Sequence, residues 1–229
     1  MARNYDGAND KISWTDNASY EGGTLTGFAW SYVDNVTQDH NIFNKQVSTN
    51  YFNFFNDDIG AISGRTNTYK IDVGDGTDIA NIEGATNAEV VTTWQAVLFV
   101  FVPANAAGLE LWVGGVEDAN SPVATTLVGS AGDNTGQLLT GETTGGTQDR
   151  AGRLSHTVLW NINLGDAQKA ALSRGVCPFV ISTTKPVFYG TQEGNDSTEV
   201  NYSQTGLGTL TGTTKAANNP PVEHMENYL

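Results

Sequence analysis

The sequence predicts an all-β protein, a sandwich or barrel, and three observations carry that reading. Short runs of alternating or continuous apolar character recur between clusters of Gly, Asn and Asp. Thr and Asn together make up roughly a fifth of the 229 residues, with a further 26 Gly, a composition suited to strands and turns rather than helices. Only one stretch has the spacing of a helix. Many short strands divided by turn signals mean a sandwich or barrel.

The strands expected in chain order are Lys11–Trp14, Leu25–Val33, Asn41–Val47, Tyr51–Phe55, Thr68–Val73, Trp94–Val102, Glu110–Val116 and Leu154–Trp160. Phe179–Ser182 and Val187–Tyr189 are later candidates. The longest apolar run, Ala96 to Val102, has strand length and falls far short of the ~18–20 residues that span a bilayer. One short helix is expected at Asp166–Arg174. Asp166 suits its positive N-terminal end, Gly175 is a left-handed stop, and Pro178 follows where helices rarely continue. Leu164, Ala167, Ala171 and Leu172 form its expected buried stripe, packed as a lid on the sandwich. From Pro186 to Leu229 the pattern weakens into Gly-rich and Asn-rich sequence ending near Pro220-Pro221. Residues 1–185 are therefore read as the sandwich and 186–229 as a C-terminal extended arm, packed on the sandwich or on a neighbouring subunit.

Composition excludes several functions. Eleven basic against 25 acidic side chains leave a net charge of −14, which repels phosphate backbones, so no nucleic acid is expected as partner. No membrane association is expected either. The opening residues MARNYDGAND hold no apolar stretch, so a chain made in a cytosol without a secretory signal is expected. The one cysteine, Cys177, cannot form an internal disulfide. Nine Phe, eight Tyr and five Trp are enough for a sizeable core.

Four phrases occurring in order resemble the concanavalin A-like lectin/glucanase superfamily, in particular its laminin-G-like jelly-roll modules. They are Tyr5-Asp-Gly-Ala-Asn-Asp-Lys-Ile12, Leu25-Thr-Gly-Phe-Ala-Trp30, and Trp94-Gln-Ala-Val-Leu-Phe followed by Leu111-Trp-Val-Gly-Gly-Val116. The fourth is Leu154-Ser-His-Thr-Val-Leu-Trp160 with Leu164–Leu172 and Gly175-Val-Cys-Pro178 behind it. The resemblance covers about residues 5–182 and implies a jelly-roll sandwich of two antiparallel sheets. This chain departs from it at His156, where the closing strand often has an acid, and at Gly114-Gly115, where Asn-Gly is usual. Gly-Gly still suits a tight turn with positive φ.

Superfamily members that cut glucans carry carboxylates at alternate positions of one strand, flanking the scissile bond. No two of the 25 acidic residues here are two apart, which leaves only a pair assembled from different strands. There is no nucleophile elbow, and His40, His156 and His224 lack companions at metal-ligand spacing. No catalytic residue is assigned and the chain is read as a non-enzyme. Asp72, Asp75 and Asp78 crowd one Gly-containing loop and are the candidate ligands for calcium (Ca2+). The same residues also read as a solvated acidic turn. Trp30 and Trp160 read as core. Trp112 alternates with Leu111 and Val113, so it is the candidate exposed aromatic for glycan or protein contact.

The stretch Gly208–Thr214 through Asn219–Val222 is similar to endings of tailed-phage structural proteins. That resemblance implies a virion protein made in the host cytoplasm, first of all a capsid decoration protein. Its expected partners are the major capsid protein or other virion proteins, and a homo-oligomer, plausibly a trimer. On this reading the arm grips neighbouring subunits, and deleting 186–229 leaves a folded domain that no longer binds particles. The alternative is a host-glycan-binding module of a tail or head fibre, with an endoglycanase behind it.

Overall fold

A computed structural model describes residues 2–57, 65–85, 88–146, 148–192, 198–203 and 206–221. The chain begins with β1 (Arg3–Asp6), β2 (Lys11–Trp14), a 3-10 turn at Ala18–Tyr20, β3 (Leu25–Val33), β4 (His40–Val47) and β5 (Asn50–Asp57). It continues with β6 (Thr68–Asp75), β7 (Ile79–Glu83), β8 (Gln95–Phe101), β9 (Leu109–Val113), β10 (Val116–Glu117) and β11 (Leu138–Thr140). Then come β12 (Ala151–Trp160), helix α1 (Asp166–Ser173), β13 (Phe188–Gly190), β14 (Thr198–Asn201), β15 (Gly206–Thr211) and β16 (Thr214–Lys215). Phe179–Ser182 is a turn rather than the expected strand. Its Phe179 and Ile181 are apolar because they cover a sheet face, not because they join a ladder.

Antiparallel pairing runs in the order β10-β9-β8-β3-β12-β13-β14-β15-β2-β11-β4-β5-β6-β7, with β1 paired to β12 and β16 to β1. The two arms of this ladder fold face to face as the layers of a jelly-roll sandwich. Period-two alternation decides what meets between them. Phe52 and Phe54 of β5 point inward, and their rings lie 6.0 and 5.3 Å from Phe99 of β8. Ile12 and Trp14, Tyr69 and Ile71, and Leu109 and Leu111 join the same cluster. The hairpin β9–β10 turns at Gly114-Gly115 with φ of +61° and +82°, the conformation expected of that pair.

The last third of the chain differs most from expectation. Residues 188–215 supply four strands, and β13, β14 and β15 carry the hydrogen-bond ladder from β12 around to β2. Phe188 enters the core with its ring 4.9 Å from Trp14 and 5.6 Å from Tyr20. A Cβ at Gly208 would come within 2.6 Å of Ile12, so a residue without one lets β15 lie this close. The stretch read as an arm is thus paired within its own sandwich as far as Lys215, while residues 222–229 lie outside the described ones.

A second apolar cluster covers the other face of the β8–β3–β12 layer. It holds Phe28, Trp30, Leu98, Trp112, Trp160 and Tyr189, capped by Leu164 and Leu172 at the helix. Gly165 donates its N–H to Gln168 Oε1 at the helix start, and Gly175 ends the helix at φ +92°. The buried stripe is Leu164, Leu172 and Lys169; Ala167 is exposed and Ala171 only partly covered, a correction to the expected stripe. Among the described residues no helix is long and apolar enough to cross a membrane.

Candidate functional site

The outer face of the β2–β11–β4–β5–β6 layer is polar because alternate residues of each strand turn away from the core. Register places Ser13, Leu139 and Asn44 in one row across β2, β11 and β4. The same row continues through Asn53, Asp72 and Asn81 across β5, β6 and β7. The loop after β11 lies over this face. Asn44 Oδ1 accepts from Thr144 N and Oγ1 at 3.1 and 3.0 Å. Asn53 donates to Gln148 Oε1 at 2.9 Å and accepts from Asn41 Nδ2 at 2.8 Å. Gly141 starts this loop at φ +93° against the Tyr5 ring, where any side chain would collide.

Between that loop and the strands lies an open cleft of about 380 Å³. Lys11 and Ser13 reach it from β2, Gln46 from β4, and Gln137 and Leu139 from β11 and its approach. Thr143, Thr144 and Gly145 form one wall, and Gly136 lies in the other. That second wall is pinned from inside: the buried Lys45 ammonium donates to the carbonyls of Asn134 and Gly136 at 2.7 and 2.9 Å. The same ammonium pairs with Asp16 at 2.7 Å and Glu21 at 2.9 Å. A buried charge with this many partners is costly to move, so this wall is anchored to the core.

Trp112, the expected exposed aromatic, is buried. The Lys169 ammonium lies 4.2 Å from its ring centroid and pairs with Glu110, whose Oε2 also accepts from Trp112 Nε1 at 3.0 Å. Alternation did turn Trp112 away from Leu111, but α1 covers the face it turned to. Trp14, Trp30 and Trp160 are buried as well, and Trp94 packs against Tyr32 at 5.4 Å.

Asp72, Asp75 and Asp78 do not converge. Asp72 is on the outer sheet face and pairs with Lys70 at 3.3 Å; burial raises its pKa against that pull. Asp75 turns to the backbone, accepting from Thr77, Asp78 and Gly129 at 2.8 to 2.9 Å, and those N–H groups lower its pKa. Among the described residues no three His, Cys, Asp or Glu side chains are placed to share a metal ion. Sheet pairing does set Asp72 and Glu83 on the same face of neighbouring strands, a relation that no linear scan of acids could reveal. Lys70 is directly across from Glu83 and paired to Asp72, and Glu83 is buried. His40 and His156 are buried, the latter with Nδ1 2.6 Å from the Tyr189 hydroxyl. Cys177 is buried, which raises its thiol pKa. His224 lies outside the described residues.

The layered jelly roll is a lectin-like fold. Residues 6–168 match the family model described as the concanavalin A-like lectin/glucanases superfamily, Laminin_G_3, and the chain belongs to that family. No curated protein matches it in sequence. Among solved structures, it is similar to a candidate carbohydrate-binding protein from Bacteroides ovatus, with 16% identity and a TM-score of 0.73. That likeness takes in 97% of this chain and 62% of the other, so the present chain spans under two thirds of its relative's length. A heptameric SAP-like pentraxin from Limulus polyphemus matches over 92% of this chain and 95% of its own, with 11% identity and a TM-score of 0.58. The binding domain of botulinum neurotoxin serotype G matches over 79% of this chain and 45% of its own, with 8% identity and a TM-score of 0.55. At such identities the likeness is one of fold.

Proposed function

We propose that this protein is a non-catalytic carbohydrate-binding module whose ligand sits in the cleft between β2, β11, β4 and the 143–145 loop. The observation that carries the reading is the cleft itself: a concavity where Ser13, Gln46, Gln137, Thr143 and Thr144 gather around apolar Val47 and Leu139. Family membership and the Bacteroides ovatus relative's description support a saccharide as the ligand. What the cleft holds supports a non-catalytic role. Among the described residues no carboxylate lines it, and Glu142 is tied to the lining Lys11 at 2.9 Å. Hydrolysis of a glycosidic bond needs two carboxyl groups facing one another across the sugar. The Asp72 and Glu83 pair does not supply them, because Lys70 neutralises one and the other is buried.

A glycan array followed by incubation with laminarin, agarose and carrageenan tests both halves. The expected result is binding to a defined glycan set with no sugar released. Silence across a broad array removes the binding reading, and sugar release removes the non-catalytic one. The decoration reading gains no support from the fold: it gave the segment after residue 185 to neighbouring subunits, and 188–215 are paired within the chain.

A further inference from the structure

Three polar side chains in the cleft have no protein partner for some or all of their hydrogen-bonding capacity. The side chains of Ser13 and Gln137 make no hydrogen bond among the described residues, and Gln46 uses only its Nε2, on Ser48 O at 3.1 Å. Strand register brings them together. Leu138 is opposite both Trp14 and Lys45, so Gln137 comes beside Gln46, two residues along from the Ser13–Leu139 pair and on the same face. Leu139 lies between them as an apolar floor. Elsewhere on this face Asn41, Asn44, Asn53 and Gln148 spend their amides on one another and on Thr144. Within the cleft, Ser13, Gln46 and Gln137 thus hold free capacity side by side.

Charge and shape narrow the ligand further. Among the described residues Lys11 is the one cation lining the cleft, and Glu142 already neutralises it at 2.9 Å. An anionic sugar would have to displace that carboxylate and approach a chain of net charge −14. Among the described residues no aromatic ring lines the cleft, so it lacks the platform on which a long glycan chain stacks ring after ring. A volume of about 380 Å³ is near the lower end for small-molecule pockets, room for about two sugar rings.

Resting on the proposed carbohydrate-binding function, we infer that the ligand is the uncharged end of a glycan, about one or two rings long, held by hydrogen bonds from Ser13, Gln46 and Gln137. Binding by neutral acceptors and donors is indifferent to salt, and rings beyond the second gain nothing.

The test is calorimetric titration of the full chain with neutral mono-, di- and tetrasaccharides taken from array hits, with sialylated or uronate-containing counterparts, and with the parent polymer. Neutral disaccharide and tetrasaccharide are expected to bind alike, at low and high salt, and acidic counterparts more weakly. Gln137→Ala is expected to weaken binding about ten-fold, the loss of one or two hydrogen bonds to an uncharged partner. Ser13→Ala is expected to weaken it several-fold. Both positions are partly or fully exposed, so the fold tolerates the changes, and an unchanged thermal transition verifies it. Affinity that climbs with chain length, tighter binding of the acidic sugars, or a Gln137→Ala variant that binds as wild type overturns the inference while leaving a carbohydrate-binding protein. Failure of every saccharide to bind overturns the underlying function as well.

Discussion

Lys169 is almost fully buried on a helix whose other covered side chains are apolar, and its ammonium explains why Trp112 is not a binding platform. Truncation at Trp112→Ala removes a large ring from beneath that charge and leaves Glu110 and Lys169 over a cavity. It should cost about 3 to 5 kcal/mol in chemical denaturation and leave saccharide affinity of the folded protein unchanged, since the cleft is on the other layer. Unchanged stability with lost binding would restore Trp112 as a contact residue. His40 makes a second residue-scale prediction. Burial first, and the nearby Arg150 guanidinium second, lower its pKa from 6.5 to about 4. Its neutral ring accepts from Ala151 N and bonds Asn35 O at 2.9 Å. The unfolded chain takes up that proton near pH 6.5 while the fold resists it, so stability falls as pH drops from about 6.5 to about 4. The loss totals about 3 kcal/mol and goes no further below that window. Asp10, Asp72 and Asp149 oppose it, because burial raises their pKa values and the fold gains protons before the unfolded chain does. The clean comparison is wild type against His40→Gln: the variant's stability should be flatter over this window, and equal slopes would contradict the assignment.

At the scale of elements, the C-terminal strands close the sandwich. Removing residues 186–229 strips Phe188 from the core and takes one hydrogen-bonded neighbour from each of β12 and β2, which keep β3 and β11 on their other edges. The truncated chain is expected to show no cooperative thermal transition, and a sharp one near the wild-type midpoint would contradict this. That outcome is the reverse of the expectation that a folded domain remains, and the reason lies in β15. Its sequence, Gly206-Leu-Gly-Thr-Leu-Thr211, offers little β-branched apolar pattern because glycine is needed where it crosses Ile12 and Trp14. A strand chosen for close approach looks like a loop in sequence. Strands that bury one face against the core, such as Lys11–Trp14 and Thr68–Val73, were legible because alternation alone specifies them. The helix was legible through Asp166 and Gly175, but not its stripe, since a lysine with two carboxylate partners can be buried where an alanine is exposed. The cleft was not legible. Ser13, Gln46 and Gln137 come from three separated segments, each an unremarkable polar residue until the register of β2, β11 and β4 sets them side by side.

For the whole molecule, a net charge of −14 and a single neutralised lysine in the cleft point the same way, toward an uncharged ligand and away from phosphate or acidic polysaccharide. The two layers divide the work. One layer is sealed on its outer face by α1 and the 178–182 turn, and the other leaves a polar face and cleft open to solvent. The most direct measurement is a side-chain amide NMR titration of the intact protein with a neutral disaccharide. Binding in the cleft predicts saturable shifts of the Gln46 and Gln137 amide signals, with little change at Asn41 and Asn53. Shifts confined to residues outside the cleft, or none at saturating sugar, would contradict the account.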